Sequence, residues 1–269
     1  MEHLNYEQVE NLRKAMGTLP SERPKKQTDI VTLEQSIEVT LEDCSINPYK
    51  AMFVTSTSTW GTNTFEQKWP LTNPEGKLEV IKAVLTHNTL PQAKEMVQFV
   101  FRVKGVPRWL FDYHTQAVQF IAFMSIGCRD NNKIDSDVVK HFNFGDAELF
   151  SKLKDLYELA LTDNQGSWQT ARAFLPQSYS HAYHFGQNLL SIAGTKGFHA
   201  SKKFNLQDEK DFHLFKLYKR VQACIGEHFP LLALYLEILF SDNEEVFEKI
   251  RDLKIEDLSE KDYQLLLKS

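Results

Sequence analysis

The part of the sequence that most constrains the fold is residues 95–129, EMVQFVFRVKGVPRWLFDYHTQAVQFIAFMSIGCR. Its first half alternates between apolar and other side chains, which is typical of a half-buried β-strand. The apolar face consists of Val97, Phe99, Phe101 and Val103. Gly105 and Pro107 then end the strand, and a proline suits the first turn of a helix, where its missing N–H is not needed. The stretch predicts a strand, a turn and a helix in direct succession.

That helix is predicted to begin at Arg108 and to run to about Ser125. It is apolar on almost every side, through Trp109, Leu110, Phe111, Val118, Phe120, Ile121, Phe123 and Met124. Its polar stripe is narrow and consists of Asp112, His114, Gln116 and Gln119. A helix with this distribution is buried, so we expect it to be a long central helix of the fold.

The rest of the chain predicts strands first and then mostly helices. A strand follows Ser36 (SIEVTLE), KAMFVTSTSTWG is a strand or a short helix, and TSTST at 55–59 suits a solvated strand face. A helix is predicted to begin at Asn73, whose side chain can cap it. Pro74 has the backbone φ angle of the first helical turn, and the charge of Glu75 suits the helix N-terminus. We expect that helix to end near His87.

The second half is predicted to be largely helical. Helices are expected over 147–161 and 179–192, and over 208–240 either one helix or two joined at Pro230. The fold class is therefore α+β, with a mixed or antiparallel sheet and a helical C-terminal half. The composition predicts an N-terminal extension (1–32), a main domain (33–240) and a C-terminal helical extension (241–269).

Charge and composition exclude several classes of protein. The net charge of −5 argues against a surface that coats nucleic acid, because phosphate binding needs an excess of Lys and Arg. Three cysteines without a CxxC pair indicate neither a disulfide framework nor a thiolate zinc site. The sequence shows no membrane span and no signal-peptide pattern, so we expect a soluble, cytoplasmic protein.

Few residues form a recognisable catalytic pattern. The sequence lacks a phosphate-binding glycine loop, a nucleophile elbow and HExxH. His181 and His184 have a spacing that could hold a metal on one helix face, but without a third ligand a surface or capping role is favoured. The acidic pair Glu244 and Glu245 indicates a solvated helix.

Isolated cations and an amide in apolar segments are the stronger candidates for a site. They are Arg129, Arg172, Asn188, Lys202 and Lys203. A buried cation needs an anionic partner. That partner is either an internal carboxylate or a bound phosphate, which suits a planar guanidinium.

The order of several segments resembles the flavin-dependent thymidylate synthases. The similar pieces are VTLEDCSINPYKAMFVTSTS, LEVIKAVLTHNTLPQAKEMVQFVFRVKG, DLYELALTDNQGSWQTARAFLP and the Asn of QNLL, which together cover roughly residues 36–235. The resemblance implies an α+β subunit in a homotetramer, with FAD and a pyrimidine deoxynucleoside monophosphate bound between subunits. It also implies conversion of dUMP to dTMP, with NADPH and methylenetetrahydrofolate as co-substrates and no enzyme nucleophile.

The resemblance also assigns roles to individual residues. Glu95 matches the acid near the flavin, Asn188 an amide at the cofactor, and His87 the histidine of the turn that precedes the acid. Arg129 and Arg172 match nucleotide-binding arginines, and Ser125 and His114 are further predicted substrate contacts. Lys202 or Lys203 falls near the family's arginine at the pyrimidine ring, and these two are the predicted catalytic residues.

The chain departs from the family at its signature, Arg-His-Arg-x-x-Ser-x-x-x-x-Ser-x-Arg. Residues 117–129 read AVQFIAFMSIGCR, which keeps only the final arginine, Arg129; a register shifted by two recovers Ser125 but loses that arginine. A divergent enzyme with a changed base, or one that hydroxymethylates, is therefore one interpretation. A noncatalytic nucleotide-binding or assembly scaffold is a second, and an unrelated helical protein with accidental matches is a third.

Overall fold

A computed structural model describes the parts of the chain that carry the fold. These are residues 37–58, 65–87, 91–117, 122–125, 180–194, 204 and 209–268, with residues 152, 155–156, 158–160 and 162–163. The last, scattered group is helical, within the helix predicted over 147–161 and two residues beyond it. The predicted N-terminal extension (1–32), Arg129, Arg172, Lys202 and Lys203 lie outside the described residues.

A four-stranded antiparallel sheet forms the centre of the fold. Its strands are β1 (Glu38–Cys44), β2 (Gln98–Pro107), β3 (Ala122–Ser125) and β4 (Ser180–Asn188), in the order β1-β2-β4-β3. The predicted alternation of β2 is confirmed, because Val97, Phe99, Phe101 and Val103 are buried while Gln98 and Lys104 are exposed. The prediction of an α+β fold with an antiparallel sheet is therefore confirmed.

Gly105 lies at an irregularity in the central strand pair. The register between β2 and β4 shifts between Val103 and Val106, and Gly105 has a φ of 75°. Residues with a Cβ rarely adopt this left-handed conformation, whereas glycine does so without steric cost. The bulge lets β2 continue to Pro107 instead of ending at Gly105, and a helix follows it directly.

Helices surround one face of the sheet and form most of the remaining structure. They are α1 (Pro48–Thr57), α2 (Phe65–Leu71), α3 (Pro74–Thr86), α4 (Pro91–Glu95), α5 (Arg108–Ala117), α6 (Leu189–Ala193), α7 (Glu209–Gly226), α8 (Pro230–Tyr235), α9 (Asn243–Asp252) and α10 (Glu260–Leu267). Short 3₁₀ turns lie at Leu236–Leu239 and Ile255–Asp257. None of the helices in the described part of the chain has the length and hydropathy that a bilayer crossing needs.

Local chemistry explains where several of these helices begin. The predicted start of α3 is confirmed, since the Asn73 side chain accepts a hydrogen bond from the N–H of Gly76 and Pro74 occupies the first turn. Helix α1 begins in the same way, with Asn47 accepting from the N–H of Lys50. Pro230 likewise opens α8, so the predicted helix over 208–240 is divided there.

The prediction of a central helix from Arg108 to about Ser125 is wrong in its second half. Helix α5 ends at Ala117, and Ala122–Ser125 is the edge strand β3, paired with β4. Phe123 and Met124 are largely exposed instead of buried. A short apolar run fits a helix and a strand equally well, and here the free edge of β4 decides between them.

The predicted helix over 179–192 is wrong over residues 180–188, whereas residues 189–192 are helical and belong to α6. Residues 180–188 form β4, in which His181, Tyr183, Phe185 and Gln187 are buried and His184 is exposed. Residues three apart in a strand lie on opposite faces, so His181 and His184 do not share a face for a metal. Within the described residues no cluster of three or more potential metal-ligating side chains occurs.

The predicted solvated strand face at 55–59 is helical where it is described. Ser56 and Thr57 are buried on α1, and the hydroxyl groups of both donate to the carbonyl oxygen of Phe53. Backbone acceptors of the preceding turn satisfy these hydroxyls, so their burial does not leave polar groups unpaired.

Hydrogen bonds from distant side chains hold the last helices against the core. Asn47 Nδ2 donates to the carbonyl of Leu265 at 2.8 Å, Trp69 Nε1 to that of Lys268 at 2.7 Å, and Lys77 Nζ to that of Leu266 at 2.6 Å. Helices α9 and α10 pack against α3, and their buried side chains join the same hydrophobic cluster as the sheet. The division of the chain at residue 240 stays a prediction.

Asp262 links α10 to two distant parts of the chain. It accepts hydrogen bonds from the hydroxyl of Tyr49 and from the backbone N–H of Leu231. Burial raises the pKa of the Asp262 carboxyl above its usual value, and the bonds from Tyr49, Ser259 and Leu231 oppose that rise. The carboxylate is thus a buried junction between α1, α8 and α10.

Replacing Asp262 with alanine is expected to lower the free energy of unfolding by about 3 kcal/mol, because buried donors lose their acceptor. Urea unfolding followed by circular dichroism measures the change. The exposed Asp252 provides the control, and Asp252→Ala is expected to stay within about 0.5 kcal/mol of wild type. Equal stability of the two variants would show that α10 is a peripheral appendage.

Candidate functional site

The pairing of β2 with β4 brings two predicted cofactor residues to the same end of the sheet. Gln98 pairs with Asn188, and the N–H of Leu189 donates to the carbonyl of Val97 at 2.9 Å. Glu95, the last residue of α4, lies two residues before Val97 and is exposed. Helices α4 and α6 also pack against each other. The acid and the amide are therefore neighbours through backbone structure.

These two residues differ in the bonding groups that they present. The oxygen of the Asn188 side chain accepts from the N–H of Ser191 and so caps α6. This bond leaves the Asn188 amide nitrogen as the donor toward a ligand, while the exposed carboxylate of Glu95 is an acceptor. A planar ligand with donors and acceptors along one edge fits this combination.

His87 lies at the end of α3 that leads toward this region. It is the C-cap residue, is exposed, and its backbone N–H donates to the carbonyl of Ala83. Three residues separate His87 from Pro91, the start of α4. The chain therefore limits the distance between His87 and Pro91 to roughly 13 Å.

Ser125 and His114 lie farther along the sheet. Ser125 pairs with Tyr183, and His114 contacts the hydroxyl of Tyr183. Tyr183 precedes Asn188 by five residues on β4, which corresponds to about 17 Å along a strand. The described site residues therefore form two groups, one near the middle of β4 and one at its C-terminal end.

His114 belongs to a buried hydrogen-bonded chain. Tyr218 donates to Gln187 Oε1 at 2.9 Å, so the Tyr218 oxygen is left to accept from His114 Nε2–H at 3.1 Å. His114 Nδ1 lies 2.7 Å from the Tyr183 hydroxyl, within hydrogen-bond distance. The bond to Tyr218 thus places a proton on His114 Nε2. His114 is fully buried, and its role as a substrate contact stays a prediction.

The two tyrosines that contact His114, Tyr183 and Tyr218, are held in their neutral form. Burial raises the pKa of Tyr183 well above its usual value and also raises that of Tyr218. Sequence reasoning missed both tyrosines and Gln187. The helical spacing of Leu214, Leu217, Tyr218 and Val221 was the available signal for Tyr218, whereas Gln187 gave none until β4 was known.

Comparison with known proteins identifies the fold. No protein-family model and no curated protein matches this sequence. Among solved structures, the flavin-dependent thymidylate synthase ThyX from Helicobacter pylori, complexed with FAD and dUMP, aligns with a TM-score of 0.52 and 14% identity, over 76% of this chain and 98% of that one. The chain has the ThyX fold.

A second structure with the ThyX fold is similar to the same extent. The UMP/dUMP methylase PolB from Streptomyces cacaoi, bound with 5-Br dUMP, aligns with a TM-score of 0.51 and 12% identity, over 74% of this chain and 93% of that one. The resemblance seen in the sequence is confirmed at the level of fold.

Tyr218→Phe is expected to lower the free energy of unfolding by about 2 kcal/mol, because His114 loses an acceptor and Gln187 a donor. Tyr263→Phe, at a half-buried tyrosine on α10, is the control and is expected to change stability by less than about 0.5 kcal/mol. Chemical denaturation of both variants makes the comparison, and equal effects would contradict the assigned chain of donors.

Proposed function

We propose that this protein is a divergent flavin-dependent pyrimidine nucleotide methylase. The observation that carries the proposal is the structural alignment with a thymidylate synthase crystallised with FAD and dUMP. The alignment covers 98% of the chain of that enzyme. The ordered sequence pieces that resemble the same family support it independently, since they include Glu95 and Asn188 at one end of the sheet. The substrate is a pyrimidine deoxynucleoside monophosphate, with dUMP to dTMP as the reference reaction.

The described residues fit a flavin. The flavin ring has hydrogen-bond donors and acceptors along one edge, which complements the Asn188 amide nitrogen and the Glu95 carboxylate. His87 is a third candidate contact at the turn before α4. When bound, the flavin supplies the hydride that completes methyl transfer, with NADPH as reductant and methylenetetrahydrofolate as carbon donor. Glu95 and Asn188 orient the ring, and the buried sheet behind them holds both in place.

Nucleotide binding is assigned to the arginines. Arg172 and Arg129 hold the phosphate, for which a planar guanidinium is well suited. Lys202 or Lys203 approaches the pyrimidine ring, and Ser125 is a further contact. The missing Arg-His-Arg triplet points to a changed base or to hydroxymethylation, in which water replaces hydride at the methylene carbon.

Assembly as a homotetramer, with FAD and nucleotide between subunits, is part of the proposal. Apolar side chains on the outer face of the sheet support it, since Val100 on the inner strand β2 and Met124 on the edge strand β3 are both exposed. Exposed apolar surface of this kind marks interaction sites.

A noncatalytic nucleotide-binding or assembly scaffold is the second candidate. The loss of Arg-His-Arg favours it, because each charge-assisted hydrogen bond contributes about 1.5–3 kcal/mol to binding. The retained Glu95, Asn188, Arg172 and Arg129 favour the enzyme.

The visible absorption spectrum of the purified protein separates the two candidates. We expect flavin bands, in the protein as purified or after FAD is added, that shift with one of dUMP, dCMP and dTMP. Glu95→Ala is expected to lose the flavin, whereas Glu248→Ala, at an exposed acid on α9, retains it. A colourless protein that ignores FAD at high concentration would exclude the flavoenzyme and favour the scaffold.

Arg172→Ala is expected to weaken nucleotide binding by about 2–5 kcal/mol while the fold is retained. Isothermal titration with the nucleotide that shifts the flavin spectrum measures the loss. Arg251→Ala, which breaks only an exposed ion pair with Glu244, serves as the control. Unfolding of the Arg172 variant without ligand would show that this arginine pairs with an internal carboxylate instead.

A further inference from the structure

Gly186 lies within strand β4, although the fold does not require a glycine there. It does not have a positive φ. A Cβ at this position would lie 3.8–3.9 Å from its nearest neighbours, backbone atoms of Ala122 and Phe99, which is ordinary van der Waals contact. Glycine inside a strand costs stability, because it loses more conformational freedom on folding and packs no side chain. A glycine that the fold does not need indicates that another group approaches the strand closely at this point.

The sheet surface around Gly186 is apolar and exposed. Gly186 pairs with Val100 on β2 and with Ala122 on β3. Paired residues of neighbouring strands project from the same face of a sheet, so Val100 and Ala122 lie on either side of Gly186 on the outer face. Both are exposed. Because no side chain rises between them, a flat ring can lie against the backbone of β4.

Two amide side chains come next along the same face. Gln98 and Asn188 are paired, so their Cβ atoms lie about 5 Å apart. Gln98 Nε2 donates to the carbonyl of Glu95 at 3.1 Å, and Asn188 Oδ1 accepts from the N–H of Ser191 at 2.7 Å. These bonds fix the orientation of both amides. Gln98 therefore presents its Oε1 as an acceptor, and Asn188 presents its Nδ2 as a donor.

An acceptor beside a donor is complementary to an imide edge, in which an N–H lies next to a C=O. Gln98 Oε1 accepts from such an N–H, while Asn188 Nδ2 donates to the C=O. From this pair the outer face continues over Gly186 to His184 and its partner Met124, about 13 Å along the strand. That length accommodates three fused rings, whereas a single pyrimidine ring needs only part of it. The flavin ring has an imide at one end and an apolar dimethylbenzene at the other.

We propose that the flavin ring lies on the outer face of the sheet over Gly186, with its imide edge bound by Gln98 and Asn188. The inference rests on the proposed function and adds Gln98 and Gly186 to its binding residues. Gly186 permits the close approach of the ring, and the two amides determine its direction, because a reversed ring would place methyl groups against them. The bound ring covers Val100, and its opposite face stays open to a second subunit of the proposed tetramer.

Equilibrium dialysis of the full chain with FAD and with N3-methyl-FAD tests the imide contact. Methylation removes the N–H and leaves the rest of the molecule unchanged. Wild type is expected to bind N3-methyl-FAD about tenfold more weakly than FAD, the effect of one lost hydrogen bond. Gln98→Leu lacks the acceptor, so it is expected to bind FAD more weakly and to bind both compounds equally. Equal binding of the two compounds by wild type would overturn the assignment of Gln98.

Gly186→Val tests the close approach of the ring to the strand. Valine suits a strand, so this variant is expected to unfold at the same temperature as wild type or higher. Its side chain holds the ring away from β4, and FAD binding is expected to weaken about tenfold or more. Ala182→Val, four residues earlier on the same face of β4, is the control and is expected to bind FAD as wild type does. Unchanged FAD affinity in Gly186→Val would contradict the site.

These results distinguish failure of the site from failure of the proposed function. FAD binding by wild type that neither N3-methylation nor Gly186→Val weakens would retain the flavoprotein and overturn this site. Absence of FAD binding by wild type would overturn both. The comparison of FAD with N3-methyl-FAD uses the unaltered protein, so it decides the question even if Gly186→Val does not fold.

Discussion

The antiparallel pairing of β2 with β4 is the interaction on which the rest of the structure depends. It joins segments that are far apart in sequence, stacks Phe101 against Phe185 at 5.1 Å between ring centroids, and gives β3 a partner strand. At one end its register carries Asn188 next to the segment that follows Glu95. A one-residue slip would turn the aromatic face toward solvent and also separate these two residues.

Two buried polar groups of the described residues connect distant parts of the fold. His114 and Asp262 each collect partners from distant elements, so their burial makes the core specific at little cost. Most buried polar side chains in native proteins are bonded in this way.

Sequence patterns predicted the elements whose signals are local. The alternation of β2 and the cap at Asn73 depend only on neighbouring residues, and both are confirmed. Strands β3 and β4 were predicted as helix because their apolar and aromatic runs are ambiguous without knowledge of the pairing strand. For the site, family resemblance led to Glu95 and Asn188, whereas Gln187 was missed because its burial depends on strand β4, which the sequence did not reveal.

The side-chain donors that bind the last helices have a consequence for how the chain folds. The carbonyl acceptors of Asn47, Trp69 and Lys77 lie 218, 199 and 189 residues later in the chain. These hydrogen bonds cannot form until that part of the chain has been synthesised. At about 5–20 residues per second of synthesis, that interval is roughly 10–40 seconds. Contacts between residues so far apart in sequence also form slowly during folding. A nascent chain therefore displays the uncovered faces of α1 and α3 for much of its time on the ribosome, and these are the surfaces that a chaperone would meet.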